Sequence, residues 1–371
     1  MTPPREATLD LAPPTAIIAP VTSRRSLRGL LPTLARLLLL GAALFALSRL
    51  IHGHDLTAAL GLIRQVGWPL ALVLLPTVVA MGLDVTGWQL ILGALGASVR
   101  WRSLFELRLS VEALVLLLPG GSVAGEPAKA ALLTRRTEAS LPHAVSSLAL
   151  TKAYLVLTDG VYLAIAAAWA SADVLLSREH ATPLPARVAG ISALAMLLAG
   201  LGIFALLRQA SLASRLARTL QRVPSARLRR WVVRREQSFQ EIDASAAAFF
   251  RSRRRTRSAV FVAFLLEWLV EGAETFLIIR FLGLPLPLGP ILAMDALGSL
   301  LRVVVFFVPA GLGVQDASLI LLLGALGVPN AVAAGTALVL VKRAKEAFWI
   351  ATGTTLFLSR GRRVPSGNEL H

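Results

Sequence analysis

The chain has 371 residues, of which 56% are apolar and 16% charged, and its mean hydropathy is +0.69. Soluble domains hold about 45–50% apolar and about 25% charged residues, so this balance excludes an ordinary water-soluble enzyme and indicates an all-α polytopic membrane protein. The net charge of +17 is strongly basic, and the absence of cysteine excludes disulfides, thiol nucleophiles, thiolate metal sites and Fe–S clusters.

Residues 1–30 carry Pro3, Pro4, Pro13, Pro14 and Pro20 with no apolar periodicity, which reads as a disordered tail. The first apolar run, Leu31–Ile51, follows Arg24, Arg25 and Arg28. It is too long for the apolar core of a signal peptide and no A-x-A site follows it, so a retained span is expected. A helix needs roughly 20 residues to cross the hydrocarbon. Six segments meet that requirement: about 31–51, 68–92, 143–170, 187–207, 258–282 and 331–358. The stretch between the first two, His52–Gly67, reads as a short outer loop.

Two further apolar runs are short and broken. Leu104–Leu118 ends in Pro119-Gly120-Gly121, and Pro290–Val308 ends in Pro309-Ala310-Gly311; each is followed by a second short run, Ala128–Thr134 or Ala317–Leu326. Fifteen helical residues span about 22 Å, less than the bilayer core. Proline and glycine end the helix and let the chain turn, so two re-entrant hairpins are expected, shielded by protein or a wet cavity.

With the N-terminus inside, the basic residues fall on the cytoplasmic side at every turn. Arg100, Arg102, Lys129, Arg135, Arg136, Arg360, Arg362 and Arg363 sit inside, while the segment Ser171–Ala186 carries only Arg178. Arg208–Arg257 is an expected cytoplasmic loop with fourteen Arg and only Glu236, Glu241 and Asp243 as acids. Such a loop could touch nucleic acid, but between apolar segments and with one Trp and no Tyr it reads as a positive-inside loop against anionic headgroups. These features place the chain in a cell inner (plasma) membrane with both termini cytoplasmic. Residues 31–358 form the membrane domain and 359–371 a second tail.

The two breaks are alike. Pro119, Gly121 and Glu126 recur as Pro309, Gly311 and Asp316 at a single offset of 190 residues. Three spans lie between them, so the second copy is expected upside down, as in inverted-repeat transporters. Glu126 and Asp316 are expected at the starts of the returning half-helices, where free N–H groups favour a carboxylate, with both also facing a polar cavity.

Ionisable side chains at membrane depth cost about 2.5–3.5 kcal/mol or more and mark functional sites by default. The fifth span carries Glu267, Glu271 and Glu274 in one narrow stripe, which the sixth span's Lys342, Arg343, Lys345 and Glu346 are placed to oppose. Asp84, Lys152, Asp159, Glu106, Arg108, Glu112, Asp295 and Arg302 add to this set. A structural ion-pair network, a lipid headgroup path and a proton relay all fit that pattern. HExxH, GxSxG, Walker A and GxGxxG motifs do not occur, and His52, His54, His143, His180 and His371 are scattered. No catalytic residue, cofactor or metal is therefore assigned, and the chain is not read as an enzyme.

PGGSVAGEPAKAALL at the first break resembles the P-x-x-x-x-GGE-x-x-[KR]-x-x-L signature of the flippase-like membrane domain named after lysylphosphatidylglycerol synthase. FFVPAGLGVQDASLILLLGALGVP and ALVLVKRAKEAFW resemble that family's VPGGLGVQE and KRxRE regions. Gly125, Glu126 and Lys129 match the first signature; Pro309, Gly311, Gly313, Gln315, Lys342, Arg343 and Glu346 match the second. Two departures are Ala124 in place of a glycine and Asp316 in place of a glutamate. The form is most similar to the subgroup encoded near hopanoid biosynthesis genes. The resemblance implies translocation or binding of a membrane lipid, a hopanoid or an aminoacylated or anionic lipid. Its soluble aminoacyl-transferase partner domain finds no room in this chain. A scaffold for lipid-biosynthesis enzymes and an integral transferase are the other readings; nucleic acid is not an expected partner, and the oligomeric state is left open.

Overall fold

The computed structural model describes residues 53–117, 121–177, 184–209, 211–223, 225–304 and 313–361. The expected first span, both tails and the central residues of the two Pro–Gly breaks lie outside them. Among the described residues the chain is helical throughout, with no strand. The elements are α1 (Gly53–Val66), a 3-10 segment (Trp68–Val73), α2 (Leu74–Ala94), α3 (Trp101–Leu117), α4 (Gly121–Arg136), α5 (Leu141–Ser177) and α6 (Leu184–Arg208). They continue with α7 (Leu212–Gln221), α8 (Ala226–Val233), α9 (Glu236–Arg251), α10 (Arg254–Phe281), α11 (Leu288–Val304), α12 (Val314–Ala325) and α13 (Ala331–Gly361).

Three helical stretches are long and apolar enough to cross a membrane: Trp68–Ala94, Leu141–Asp173 and Arg187–Arg208. The last exposes Ile191, Leu194, Leu198 and Leu201 along one face. That spacing is the seam of a helix turned toward an apolar medium, and no aqueous protein leaves so large a stripe bare. α10 and α13 have the length to cross, 28 and 31 residues. Their ionisable residues lower their hydropathy, and those residues find partners inside the protein, as described below.

Two expectations change. The outer loop at 52–67 is the helix α1: Ala59 is buried, and Leu62, Ile63 and Val66 pack on the core formed with α10, α11, α12 and α13. The apolar residues recur every three or four positions there, and a loop of that composition has a face to bury. The Arg-rich segment is likewise built of three helices, α7 to α9, of which α9 packs on α5 and α6.

The chain repeats its order of elements. α5 begins at Leu141 and α13 at Ala331, 190 residues later, and the helices before each pair of breaks, α3 and α11, both have 17 residues. The two sets exchange neighbours. α2 packs along its counterpart α10, while α3 packs on α13 and α11 packs on α5.

α5 and α6 approach each other closely at their backbones. A Cβ added at Gly160 would lie 2.8 Å from the Leu197 nitrogen, and one added at Gly200 would lie 2.8 Å from the Leu157 Cα. Small residues at a helix crossing permit this in membranes, where van der Waals contact drives association. Gly160→Ala and Gly200→Ala should each lower the melting temperature of the detergent-solubilised protein, by an overpacking cost of about 1–3 kcal/mol. Gly202→Ala, which meets nothing within 4 Å, should leave it unchanged or raise it. A Gly200→Ala protein that melts like the parent would show that α5 and α6 do not touch at their backbones.

Candidate functional site

Charged side chains gather in two clusters, one around each break. The first surrounds a cavity of about 220 Å³ lined by Asp84, Trp88, Arg108, Glu126, Lys129, Leu148, Thr151, Lys152, Leu155 and Glu267. Five helices supply this wall: α2, α3, α4, α5 and α10. Arg108 is hydrogen-bonded and ion-paired to Asp84. Glu126 Oε1 lies 2.9 Å from Lys152 Nζ and 3.6 Å from Lys129 Nζ. Trp88 donates its indole N–H to Ser147 at 3.0 Å, which holds the ring as one wall.

Three polar atoms at this cavity are buried without a hydrogen-bond partner: Glu267 Oε2, Glu126 Oε2 and Thr151 Oγ1. Glu267 is 8% exposed and Thr151 7%. Buried polar atoms are ordinarily satisfied by protein or water, so acceptors left open at a cavity describe a place for a polar guest. The wall holds three cations and three acids, and its overall charge is balanced.

In the second cluster the described acids and cations are closely paired. Asp316 Oδ2 accepts the Gly313 N–H at 3.0 Å, at the point where Gly313 turns into α12 with φ +81°. Its Oδ1 accepts from Arg343 Nη2 at 2.6 Å and Nε at 3.0 Å. Arg343 Nη1 reaches Glu346 at 2.6 Å. Lys342 donates to Asp295 at 2.9 Å, and Asp295 also accepts from Thr275 at 2.5 Å and from the Tyr162 hydroxyl at 3.2 Å. Lys345 and Thr77 both donate to Glu274, at 2.5 and 2.6 Å.

The acidic stripe of α10 is thus divided. Seven residues, about 10 Å of helix rise, separate Glu274 from Glu267. That distance carries Glu274 to the basic face of α13 and leaves Glu267 at the first cavity, away from the partner expected for it. Glu271, between them, is half-buried. Asp316 caps its helix as expected. Glu126 does not: α4 begins at Gly121, so Glu126 sits a full turn inside, before the in-helix Pro127, and its carboxylate meets two lysines instead of backbone amides. Gly125 and Gln315 are buried, and Gln315 Oε1 has no hydrogen-bond partner. Gly311 lies outside the described residues.

Asp84, Arg108, Lys152 and Asp295, which the sequence marks only as charge within apolar segments, and the neutral Thr275, Tyr162 and Thr77, which it does not mark, complete these clusters. For two of them, Asp84 and Lys152, a further signal is present in the sequence. Asp84 and Glu274, Glu126 and Asp316, and Lys152 and Lys342 each stand 190 residues apart, the same offset as the two breaks.

Residues 33–340 match the model of the lysylphosphatidylglycerol synthase TM region. The chain belongs to that family, an integral-membrane class tied to membrane lipids. Neither a curated protein nor a solved structure matches it significantly.

Removing Arg343 would strand Asp316, which is 4% exposed. Breaking a buried pair in this way costs about 3–5 kcal/mol. Arg343→Ala should therefore lower the melting temperature markedly, and Asp316→Asn added to it should restore part of the loss. Equal melting of Arg343→Ala and the parent would refute the pairing.

Proposed function

We propose that this protein moves an amphiphilic lipid between leaflets, or binds it at the membrane midplane, by holding the headgroup in the charged cavity at the first break while the tails stay in the bilayer. The observation that carries this reading is a cavity lined by six ionisable residues, with open acceptors on Glu267, Glu126 and Thr151, inside a bundle of apolar helices. A headgroup with both phosphate and hydrogen-bond donors would find cations and acceptors there. Water alone would not need three cations and three acids in place.

The proposed frame has six full spans and two re-entrant hairpins in an inverted repeat, with both termini in the cytoplasm of a cell whose inner membrane holds the protein. The 190-residue offset between the starts of α5 and α13 and the exchange of neighbours between the two sets support it. Glu126 and Lys129 with Gly125, and Gln315, Asp316, Lys342, Arg343 and Glu346 with Gly313, line the two ends of the path. Glu267, Glu271 and Glu274 connect them along α10. The lipid itself is the partner; hopanoid, aminoacylated and anionic lipids are the classes to compare. No catalytic step and no cofactor enter this account, so the drive is a gradient or the lipid's own concentration difference.

Purified protein in vesicles, with a fluorescent lipid of each class in turn, should equilibrate at least one class between leaflets faster than empty vesicles do. Glu267→Gln and Lys152→Gln should each slow that exchange about tenfold or more, the effect of about 1.4 kcal/mol on a rate. Exchange no faster than in empty vesicles for every class, or a Glu267→Gln, Lys152→Gln protein that works normally, would overturn the reading.

A further inference from the structure

The cavity is not the only place where the molecule presents unpaired chemistry. From Arg208 to Arg235 the sequence holds nine Arg and no acid. α7 and α8 are built from this stretch, and their outward faces are organised. Along α7, Leu212 and Leu216, with Val223 just beyond its end, fall within about 40° of one another at 100° per residue. All three are exposed. Arg215, Arg218 and Arg222 occupy about 60° of the adjoining face, and they too are exposed. α8 adds exposed Trp231 and Val233 beside Arg229, Arg230 and Arg234.

This orientation is held by the protein. Asp243 of α9 is 5% exposed and accepts three hydrogen bonds from the start of α7: Ala213 N–H at 2.8 Å, Ser214 N–H at 2.9 Å and the Ser214 hydroxyl at 2.6 Å. Ala217, on the inner side of α7, is buried. α9 is tied in turn to the N-terminal half of α5, where Ser146 donates to the Ile242 carbonyl at 2.9 Å. A chain of contacts therefore runs from α5 through α9 to α7. The apolar edge and the arginine face of α7 consequently keep a fixed place at the end of the bundle where α6 terminates.

We propose that α7 and α8 form a docking surface for anionic lipid headgroups, lying in the plane of the membrane with the leucine edge in the acyl boundary. An apolar edge flanked by cations is the arrangement that binds at a charged membrane interface, and each arginine there is worth about a fivefold change in partition, about 1 kcal/mol. An acidic polypeptide or RNA would match the arginines but would leave Leu212, Leu216 and Val223 without a partner. The proposal does not rest on lipid translocation; it concerns a separate surface and is read by a separate signal.

The chain has no cysteine, so a single label reports one position. Leu216→Cys, carrying a polarity-sensitive fluorophore, is compared in full-length protein in two kinds of vesicle: phosphatidylcholine alone, and equal parts phosphatidylcholine and phosphatidylglycerol. Emission should shift to the blue in the anionic vesicles. The shift should vanish when Arg215, Arg218 and Arg222 are all replaced by Gln and persist when all three are replaced by Lys. Asp243→Ala should weaken it, because α7 then loses its fixed orientation. Aqueous emission in both vesicles would overturn the proposal, as would an equal shift in both that ignores the Gln substitutions, or a shift that requires added RNA or acidic protein.

Discussion

Pairing of charge inside an apolar helical bundle is the constraint on which the rest of this structure depends. An ionisable side chain in hydrocarbon is tolerated when a partner or water meets it. α10 and α13 are long enough to cross but carry too many charges to do so alone, and their carboxylates and cations find partners on other helices of the bundle. Lys345 with Glu274 joins α13 to α10, Lys342 with Asp295 joins it to α11, and Arg343 with Asp316 joins it to α12. Packing between lipid-like helices has little hydrophobic drive, so such pairs decide which helices become neighbours.

The same constraint separates the two halves. Lys152 and Lys342 occupy matching positions, as do Glu126 and Asp316. At the position matching Arg343, however, the first half has Ala153, and at that of Glu346 it has Val156. The fork that clamps Asp316 therefore has no equivalent beside Glu126. Beside Glu126 lies a cavity, with Lys152 at 2.9 Å and Lys129 at 3.6 Å from one carboxylate oxygen and the other oxygen left open. That difference lies in two residues of a long helix.

The helices were largely legible in the chain itself. Hydropathy located α2, α5, α6, α10 and α13 to within a few residues, because a span of about 20 apolar residues has few alternatives. The short α3 and α11 were legible from the Pro–Gly motifs that follow them. The helix α1 was not, since its charged flanks resemble a loop and only its packing on α13 reveals the buried face. The site was half legible. Charge within apolar segments picked out residues that gather in the two clusters, but helix angle alone could not tell which partner each would meet. Glu267 and Glu274 lie on one stripe by angle and end in different clusters, because seven residues of rise carry them past different neighbours. Asp243 gave no sign from sequence of its role in orienting α7, as its hydrogen-bond donors are two backbone amides and a serine hydroxyl about thirty residues away.

The central claim is that the two broken segments approach the middle of the membrane from opposite sides. The cysteine-free chain allows Ala128→Cys and Ala317→Cys to be made singly and labelled in intact and inverted membrane vesicles with a reagent that does not cross the bilayer. The account predicts that Ala128→Cys reacts from the cytoplasmic side and Ala317→Cys from the opposite one. Labelling of both positions from the same compartment would contradict it.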